Sequence, residues 1–197
     1  MYFAIYAKDK ADHLSLRMET RPVHLESLKE HADKMLTVGP IMTDDGASPI
    51  GSLLVMEFEN IEQAREWAAG DPYAKAGLFE STDVHAGREV KPKELLGSKV
   101  HYFIYRLDKP GTEALRSKTR PAHLEYAETL GDTLVFAGPT LDDDEKTMNG
   151  SVWVVEAASK AEAETITEAD PYEQVDLFQS KIVQPLLKVI PKDNEKK

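Results

Sequence analysis

Apolar and polar positions in the first half of the chain alternate with two periods, one typical of strands and one typical of helices. Residues 2–7 form an aromatic and β-branched run with the length of a strand. Three further apolar runs, at residues 36–38, 52–58 and 78–84, predict three more strands. One helix face is indicated by apolar residues at helical spacing, which are Leu25, Leu28, Ala32 and Met35.

Capping residues and prolines predict where the helices of this pattern begin and end. Thr20 is the predicted N-cap of the first helix, because Pro22 then lies in the first turn, where its missing N–H loses no hydrogen bond. Asn60 is the predicted N-cap of a second helix, and Asp71 before Pro72 marks its end. The first half therefore reads strand, helix, strand, strand, helix, strand.

The second half of the chain repeats the first at an offset of 99 residues, without insertion or deletion. About 32 of the 98 aligned positions are identical, which indicates a duplication. The predicted caps recur as Thr119 and Ser159, and Ser159 with Glu162 forms a capping box. We expect one unit at residues 1–93, a linker at 94–99, a second unit at 100–192 and a polar tail at 193–197.

The predicted order of elements determines the fold class. A βαββαβ unit gives an antiparallel sheet with both helices on one face, the ferredoxin-like arrangement. The opposite face of such a sheet must also be covered, and two copies in one chain can cover each other as the subunits of a dimer would. We therefore predict an α+β protein, an intrachain pseudo-dimer of tandem ferredoxin-like units.

Composition and charge restrict the functions of such a protein. The chain has 41% hydrophobic residues, enough for a core, and its net charge of −11 repels phosphate backbones and anionic bilayers. We therefore expect no nucleic acid and no membrane among its partners. No apolar run reaches the roughly 20 residues that span a bilayer, the first residues lack the pattern of a signal peptide, and there is no cysteine. We expect a cytoplasmic protein.

His24 and His123 are the most informative polar residues that both halves retain. Each is predicted in the first turn of the first helix, beside the apolar stripe and at the seam between helix and sheet. There the positive end of the helix dipole and partial burial both disfavour the imidazolium, so a neutral base is available near neutral pH. A buried histidine that caps a backbone group is the alternative interpretation.

Asp71 and Asp170, which follow the second helix, are candidates for orienting these histidines. In a βαββαβ unit, the chain leaving the second helix returns near the start of the first, so the carboxylate can hold the imidazole in one tautomer. A simple helix stop is the alternative, since Asp-Pro often ends a helix. Tyr73 and Tyr172 can offer a hydroxyl to a ligand, although a ring packed on a strand is the favoured interpretation.

Arg21 and Arg120 lie three residues before the histidines, on the same predicted helix face. An arginine beside a neutral base can bind a carboxylate or phenolate while the base removes a proton. A surface ion pair with a carboxylate such as Glu26 is an equally good interpretation. The arginines are therefore candidate substrate-binding residues with a structural alternative.

Paired aspartates occupy one loop in each half, at Asp44-Asp45 and Asp143-Asp144. Carboxylates can bind a cation, but no calcium-loop spacing or histidine accompanies them, so solvated loop carboxylates are the favoured interpretation. The sequence also lacks a glycine-rich phosphate loop, a Gly-x-Ser-x-Gly elbow and a His-Glu-x-x-His motif. The His-Asp pairs remain the best candidates for chemistry.

Taken in order, these motifs resemble those of the YciI-like (YCII-related) domain family. The resemblance spans nearly the whole chain and implies ferredoxin-like units that pair into a dimeric α/β-barrel, here fused in tandem. It is carried in the first half by Tyr2-Phe3-Ala4-Ile5-Tyr6, Arg17-x-x-x-Arg21-x-x-His24-Leu25, Gly39-Pro40, Gly51-Ser52, Asp71-Pro72-Tyr73 and Leu78-Phe79.

The resemblance also implies chemistry. A His-Asp pair is suspected as the active site of these proteins, and a relative that removes chloride from a chlorinated hydroxyquinol is taken to work without metal or organic cofactor. Carried to this chain, the catalytic pairs are His24 with Asp71 and His123 with Asp170, and no cofactor and no metal is expected. The neighbourhoods differ, since His31, Trp67 and His85 become Leu130, Ile166 and Gln184, so the two sites need not select the same molecule.

Two hypotheses of function follow. In the first, the chain is a cofactor-independent enzyme of the lyase, dehydrochlorinase-like or isomerase-like type. His24 and His123 are its general bases, the aspartates orient them, and Arg21 and Arg120 stabilise a small, aromatic or hydroxylated acid. In the second, the chain is a non-catalytic module that binds a small anion or regulates. Both hypotheses imply a small-molecule ligand and leave open whether pseudo-dimers associate into a homo-oligomer.

Overall fold

A computed structural model describes residues 1–87, 100–144 and 146–187 of the chain. The described residues divide into two units, the first made of residues 1–87 with Leu187 and the second of residues 100–186. The predicted linker at 94–99 and the predicted tail at 193–197 lie outside the described residues.

The described part of the first unit has its strands and long helices in the predicted order. A 3₁₀ turn at Ala32–Lys34 leads into the second strand. The strands are β1 (Tyr2–Asp9), β2 (Met35–Met42), β3 (Pro49–Glu57) and β4 (Phe79–Gly87), and the helices are α1 (Leu14–Lys29), α2 (Ile61–Gly70) and the short α3 (Pro72–Lys75).

The second unit repeats this order. A 3₁₀ turn at Gly131–Thr133 stands in the same place as that of the first unit. The strands are β5 (His101–Asp108), β6 (Leu134–Leu141), β7 (Met148–Glu156) and β8 (Phe178–Leu186), and the helices are α4 (Glu113–Thr129), α5 (Lys160–Glu168) and the short α6 (Pro171–Gln174). Two tandem βαββαβ units confirm the predicted α+β, ferredoxin-like fold class.

Each unit builds an antiparallel sheet around its first strand. In the first unit β1 pairs with β3 and β4, and β2 pairs with β3, which gives the order β4-β1-β3-β2. The second unit has the same order, β8-β5-β7-β6. Within it, Arg106 of β5 lies opposite Ser151 of β7 and Lys181 of β8. The first strand therefore places its side chains at the centre of the sheet.

Both long helices of the second unit pack on one face of its sheet. Tyr102 and Ile104, which share a face of β5, form one apolar cluster with Ala163 of α5 and with Tyr126 and Ala127 of α4. Burying such apolar surface contributes about 25 cal/mol per Å², so this shared layer fixes the helices on the sheet. The structure thus confirms that the helices of a unit lie on the same side.

The first helix of each unit begins earlier than predicted. Helix α1 starts at Leu14 and α4 at Glu113, so Thr20 and Thr119 are not N-caps, and Pro22 and Pro121 lie inside the helices. The buried residues of α1 are Arg17, His24 and Leu28, and a buried arginine replaces the apolar residue that would have marked the first turns.

The predicted C-terminal part of this helix was also wrong. Helix α1 ends at Lys29, so Ala32 lies in the 3₁₀ turn and Met35 begins β2. Strand β2 continues through Gly39 and Pro40 to Met42, beyond the apolar run at residues 36–38 that predicted it. Within the described ranges, no helix is both long and apolar enough to cross a membrane.

The predicted caps of the second helix are confirmed. The Asn60 side chain accepts a hydrogen bond from the Gln63 N–H, and the Ser159 side chain accepts one from the Glu162 N–H. Glu162 in turn accepts the Ala158 N–H at 2.7 Å. These local bonds satisfy N–H groups that the first turn of a helix leaves free.

Candidate active site

His24 and Asp71 lie in contact in the first unit. Nδ1 of His24 is 3.1 Å from Oδ1 and 3.0 Å from Oδ2 of Asp71, and both residues are buried. Because a carboxylate only accepts hydrogen bonds, this contact favours the tautomer that carries its proton on Nδ1. Nε2 is then the ring nitrogen with a lone pair for a ligand.

His24 does not lie in the first turn of its helix. Helix α1 begins at Leu14, ten residues before His24, so the positive end of the helix dipole is not beside the ring. A helix dipole acts only within the first or last turn, and that part of the electrostatic prediction was therefore wrong. The predicted burial and the helix-sheet position of His24 are observed, since the ring is buried on the sheet-facing side of α1.

The Asp-Pro-Tyr motif positions the Asp71 carboxylate. Asp71 ends α2 and is the N-cap of α3, where its Oδ1 accepts the Tyr73 N–H at 2.8 Å. Pro72 occupies the first position of α3, which needs no N–H donor. The motif therefore ends one helix and starts another, and the same carboxylate that caps α3 also contacts His24.

Tyr73 packs against His24 through its ring. The two ring centroids are 4.0 Å apart with the planes inclined at 24°, and the Arg17 guanidinium carbon lies 4.8 Å from the centroid of Tyr73. Tyr73 also packs edge-on against Phe79 of β4, as the packing interpretation predicted. Burial raises the pKa of Tyr73, more than Arg17 and Arg21 lower it. The phenol is therefore neutral over the range in which imidazoles act as bases.

Arg17 fastens α1 to the sheet beneath the candidate site. Its Nη1 donates to both carboxylate oxygens of Asp9 on β1, at 2.9 and 2.8 Å, and its Nη2 donates to the Gly51 carbonyl and to Ser52 Oγ on β3. Burial raises the pKa of Asp9, more than Arg17 lowers it. A buried arginine with four hydrogen bonds to the sheet holds the helix that carries His24.

A cavity of about 90 Å³ lies beside His24, between α1 and β2. This volume is far below the roughly 300 Å³ at which drug-sized ligand sites begin, so the cavity suits a small molecule. Its polar lining consists of Arg17, Arg21, His24, Ser52 and Tyr73, and its apolar lining includes Met18, Leu28, Val38, Met42 and Leu187.

Arg21 is the exposed residue of the polar lining. It lies one helical turn before His24, and its side chain borders the cavity. Glu26, the predicted alternative partner of Arg21, instead forms an ion pair with Lys29 at 2.7 Å. Arg21 thus lies where it can pair with an anion at the mouth of the cavity.

The second unit repeats this arrangement with the matching residues. Nδ1 of His123 is 2.8 Å from Oδ1 of Asp170, and Tyr172 stacks on His123 with centroids 4.0 Å apart. Asp170 caps α6 by accepting the Tyr172 N–H, and Arg116 binds Asp108, Gly150 and Ser151 as Arg17 binds its partners. Arg120 is exposed.

Arg106 is a residue of the second site that the sequence reasoning missed. Its Nη1 donates to Oδ2 of Asp170 at 2.8 Å, and its side chain is 0% exposed. Burial raises the pKa of Asp170, but the hydrogen bond to His123 and the charge of Arg106 outweigh it and hold the pKa below its usual value. The available signal was a charged residue in the middle of an otherwise apolar strand.

The paired loop aspartates hold their own loops together. Asp45 accepts the Thr43 hydroxyl and the Ala47 N–H, and Asp144 accepts the N–H groups of Lys146 and Thr147. These bonds lower the pKa of Asp144 to about 2, with the Thr147 hydroxyl contributing most. Asp45 and Asp144 are exposed, as expected of solvated loop carboxylates, and each also holds the turn between two strands.

Comparison with known proteins gives a consistent picture. The family model of the YCII-related domain matches the chain twice, at residues 1–91 and 100–186. Protein YciI of Escherichia coli O6:H1 is 40% identical over 97 residues, which cover 46% of this chain and 99% of that protein. One copy of the family domain therefore corresponds to each unit.

Solved structures resemble the chain as well. A 5-chloro-2-hydroxyhydroquinone dehydrochlorinase from Burkholderia phenoliruptrix, bound to 2,5-dihydroxybenzoquinone, is 32% identical over 48% of this chain and 97% of its own, with a TM-score of 0.41. A chlorite dismutase from Candidatus Nitrospira defluvii is 8% identical over 94% of this chain and 90% of its own, with a TM-score of 0.63, which shows the fold alone. With both units matched, the chain belongs to the YCII-related domain family.

Proposed function

We propose that this chain is an enzyme in which His24 and His123 act as general bases on a small anionic acid, in a reaction of the elimination or isomerisation type. The single observation that carries the proposal is the position of His24. Its Nδ1 contacts a buried carboxylate at 3.0 Å, while its ring borders a cavity that Arg21 also lines. A base and an anion-binding cation therefore line one small cavity, and the carboxylate that orients the base contacts its other ring nitrogen.

The proposed reaction begins with proton transfer from carbon to nitrogen. Nε2 of His24 removes a proton from the carbon next to the ligand's acidic or carbonyl group, and Asp71 stabilises the imidazolium that forms. Arg21 stabilises the negative charge that remains on the ligand. In an elimination, the electron pair of the broken C–H bond forms a double bond while a leaving group departs with its own pair. In an isomerisation, the imidazolium returns the proton to another carbon.

The size and lining of the cavity support a small substrate with one apolar part. Met18, Leu28 and Val38 contribute apolar walls, whereas the arginines and His24 are charged or polar. An aromatic or hydroxylated acid places its ring or alkyl part against these walls and its carboxylate or phenolate near Arg21. The chain's own residues supply the base and the anion site in this proposal, and no cofactor is part of it.

Deuterium exchange tests the proposal directly. Small aromatic and hydroxylated acids that raise the melting temperature of the protein are incubated with it in D₂O, and deuterium at the acidic carbon is measured by mass spectrometry. We expect exchange with the native chain and a loss of about 100-fold or more in the H24Q/H123Q variant, since general bases contribute about that much.

The half-buried His13 offers a matched control, because its ring is not part of the cavity lining and its Nδ1 contacts the Ala11 carbonyl of its own loop at 2.6 Å. H13Q should exchange at the native rate. Binding of an acid without exchange by the native protein would favour the non-catalytic, anion-binding alternative. Equal exchange by native protein and H24Q/H123Q would overturn the base assignment.

A further inference from the structure

The two candidate sites differ in how their carboxylates are held. Arg106 donates from Nη1 to Oδ2 of Asp170 at 2.8 Å. The corresponding position of the first unit is Ala7, which carries no polar side chain. The second site therefore has three groups linked by hydrogen bonds, which are His123, Asp170 and Arg106. The first site has two, His24 and Asp71.

This difference accompanies a change in the histidine contact. In the first unit, Nδ1 of His24 lies almost equally far from the two oxygens of Asp71, at 3.1 and 3.0 Å. In the second unit, Nδ1 of His123 bonds Oδ1 of Asp170 at 2.8 Å, while Oδ2 receives Arg106. Arg106 thus takes Oδ2, and the imidazole makes one shorter contact with Oδ1, which also accepts the Tyr172 N–H.

Arg106 is itself fixed from several sides. Its guanidinium carbon lies 4.6 Å from the ring centroid of Trp153 and 4.5 Å from that of Phe178, which are distances typical of cation–π contacts. Nη1 is 4.0 Å from Oε1 of Glu173, and the same oxygen lies 3.4 Å from Nζ of Lys181. A row of alternating charges therefore runs from Asp170 to the partly exposed Lys181.

Three residues around Arg106 differ between the two units, whereas Asp170 and Phe178 recur in the first unit as Asp71 and Phe79. At the matching positions the first unit has Leu54, Ala74 and Thr82 in place of Trp153, Glu173 and Lys181. Arg106 is 0% exposed, and a buried charge is costly unless its surroundings compensate for it. That compensation comes from the Asp170 carboxylate at 2.8 Å, the Glu173 carboxylate at 4.0 Å and the aromatic faces of Trp153 and Phe178.

We propose that Arg106 is a positioning residue that, through Asp170, holds the ring of His123 in one orientation, so that the second site has a more rigidly placed base than the first. The role of that base in catalysis rests on the proposed function, but its orientation is a property of the protein alone. Arg106 is buried behind the aspartate and acts without touching the substrate. A base that is held in one orientation spends less time in geometries from which it cannot remove the proton, so the reaction is faster.

The orientation is measured on the full chain by NMR of the histidine ring nitrogens, labelled with ¹⁵N. We expect the His123 Nδ1–H proton to exchange with water more slowly than that of His24. In R106M, which keeps an apolar side chain of similar length between Trp153 and Phe178, the His123 proton should exchange at least about tenfold faster, with His24 unchanged. R106K, which keeps a cation and a donor, should recover part of the protection.

Turnover or deuterium exchange gives the second readout. In the H24Q background only the second site remains, and R106M should lower kcat by about tenfold with KM changed less than twofold. In the H123Q background R106M should leave both constants unchanged. If R106M is too unstable to study, R106K, which keeps the buried cation but replaces the planar guanidinium fork by one ammonium, should raise the His123 exchange rate in the same direction by a smaller factor.

The outcomes separate this inference from the proposed function. A folded R106M with unchanged His123 proton exchange and unchanged kcat would refute the positioning role, while native turnover would still support the proposed function. Faster His123 exchange in R106M, in a protein that never shows turnover, would support the positioning role and count against the proposed enzyme.

Discussion

At the scale of single residues, the second site depends on one buried network of opposite charges. Asp170 accepts hydrogen bonds from His123, Arg106 and the Tyr172 backbone, and it is fully buried. Removing its charge leaves the buried guanidinium of Arg106 without its hydrogen-bonded anion, since the Glu173 carboxylate is 4.0 Å away. Such unpaired buried charges are among the most destabilising changes known in folded proteins.

We therefore expect Asp170→Asn to lower the free energy of unfolding at neutral pH by about 3 to 5 kcal/mol. Asp71→Asn is the matched control in the other unit, where the aspartate has Ala7 instead of an arginine nearby. Its cost should be nearer about 1.5 to 3 kcal/mol, the range for hydrogen bonds to a charged group. Urea denaturation of the three proteins measures both differences, and equal costs would contradict the importance of Arg106.

The effect of Asp170→Asn should also depend on pH. The pKa of Asp170 is lowered in the folded protein, so the folded state binds its proton less tightly than the unfolded state does. The stabilisation by this carboxylate is complete above the unfolded value of about 3.9 and is lost as the pH falls through the lower folded value. The stability difference between native and D170N protein should therefore shrink only below about pH 4.

The sequence identified His24, Asp71 and their counterparts because both halves retain them. The same comparison hid Arg106, since an asymmetric residue is discarded when only shared residues are selected. Arg17 also recurs in both halves, but its place in the cavity lining could not be predicted, because the sequence does not predict the first turns of α1. The sequence shows many differences between the halves, but only the coordinates show that Arg106, in place of Ala7, contacts the aspartate of the candidate site.

At the scale of elements, the two strands beneath each first helix approach very closely at a glycine. A Cβ added to Gly51 would lie 2.5 Å from the Ala7 carbonyl oxygen, and one added to Gly150 would lie 2.3 Å from that of Arg106. Both contacts are with backbone, which cannot rotate away. The carbonyl of each glycine also accepts a bond from the buried arginine of the helix above it.

We expect Gly150→Ala to destabilise the protein by about 1 to 3 kcal/mol, the usual cost of overpacking, because β5 and β7 must separate. Gly70→Ala is the control, for which we expect no loss of stability, because nothing lies within 4 Å of its added Cβ and the residue is helical. It should be neutral or stabilise by up to about 1 kcal/mol. Thermal unfolding followed by circular dichroism distinguishes the two, and a harmless Gly150→Ala would refute the close approach.

Most elements could be predicted from periodicity, and the exceptions have physical causes. The first helix was placed too late because Arg17 and Arg116 occupy positions of its buried face, where an apolar residue would have shown the period. Pro22 suggested a first turn, although a helix can continue through a proline when packing compensates for the lost bond. Cap chemistry at Asn60 and Ser159 is local, and there the prediction was correct.

At the scale of the whole molecule, the chain carries the same polar arrangement twice. His24, Asp71 and Tyr73 come from the first unit, and His123, Asp170 and Tyr172 come from the second. The net charge of −11 is divided as −6 for residues 1–98 (11 basic, 17 acidic) and −5 for residues 99–197 (13 basic, 18 acidic). Neither unit is distinguished by its overall charge, so a difference in activity must come from local residues.

If each site works with its own residues, their contributions to the proposed activity should add. We expect the exchange rates of H24Q and H123Q to sum to that of the native chain, within error, and the double variant to show neither contribution. The larger remaining rate should belong to H24Q, in which the site with Arg106 is intact. A single substitution that abolishes all exchange would show instead that the sites depend on each other.

The presence of Arg106 in one unit has a consequence for how such a protein diversifies. In an assembly of identical subunits, one gene specifies every copy of the site, so a mutation alters all of them at once. Here two codons 99 positions apart encode Ala7 and Arg106 independently. Duplication within one chain thus removes the obligatory symmetry, so the residues around one candidate site can change while those around the other stay the same.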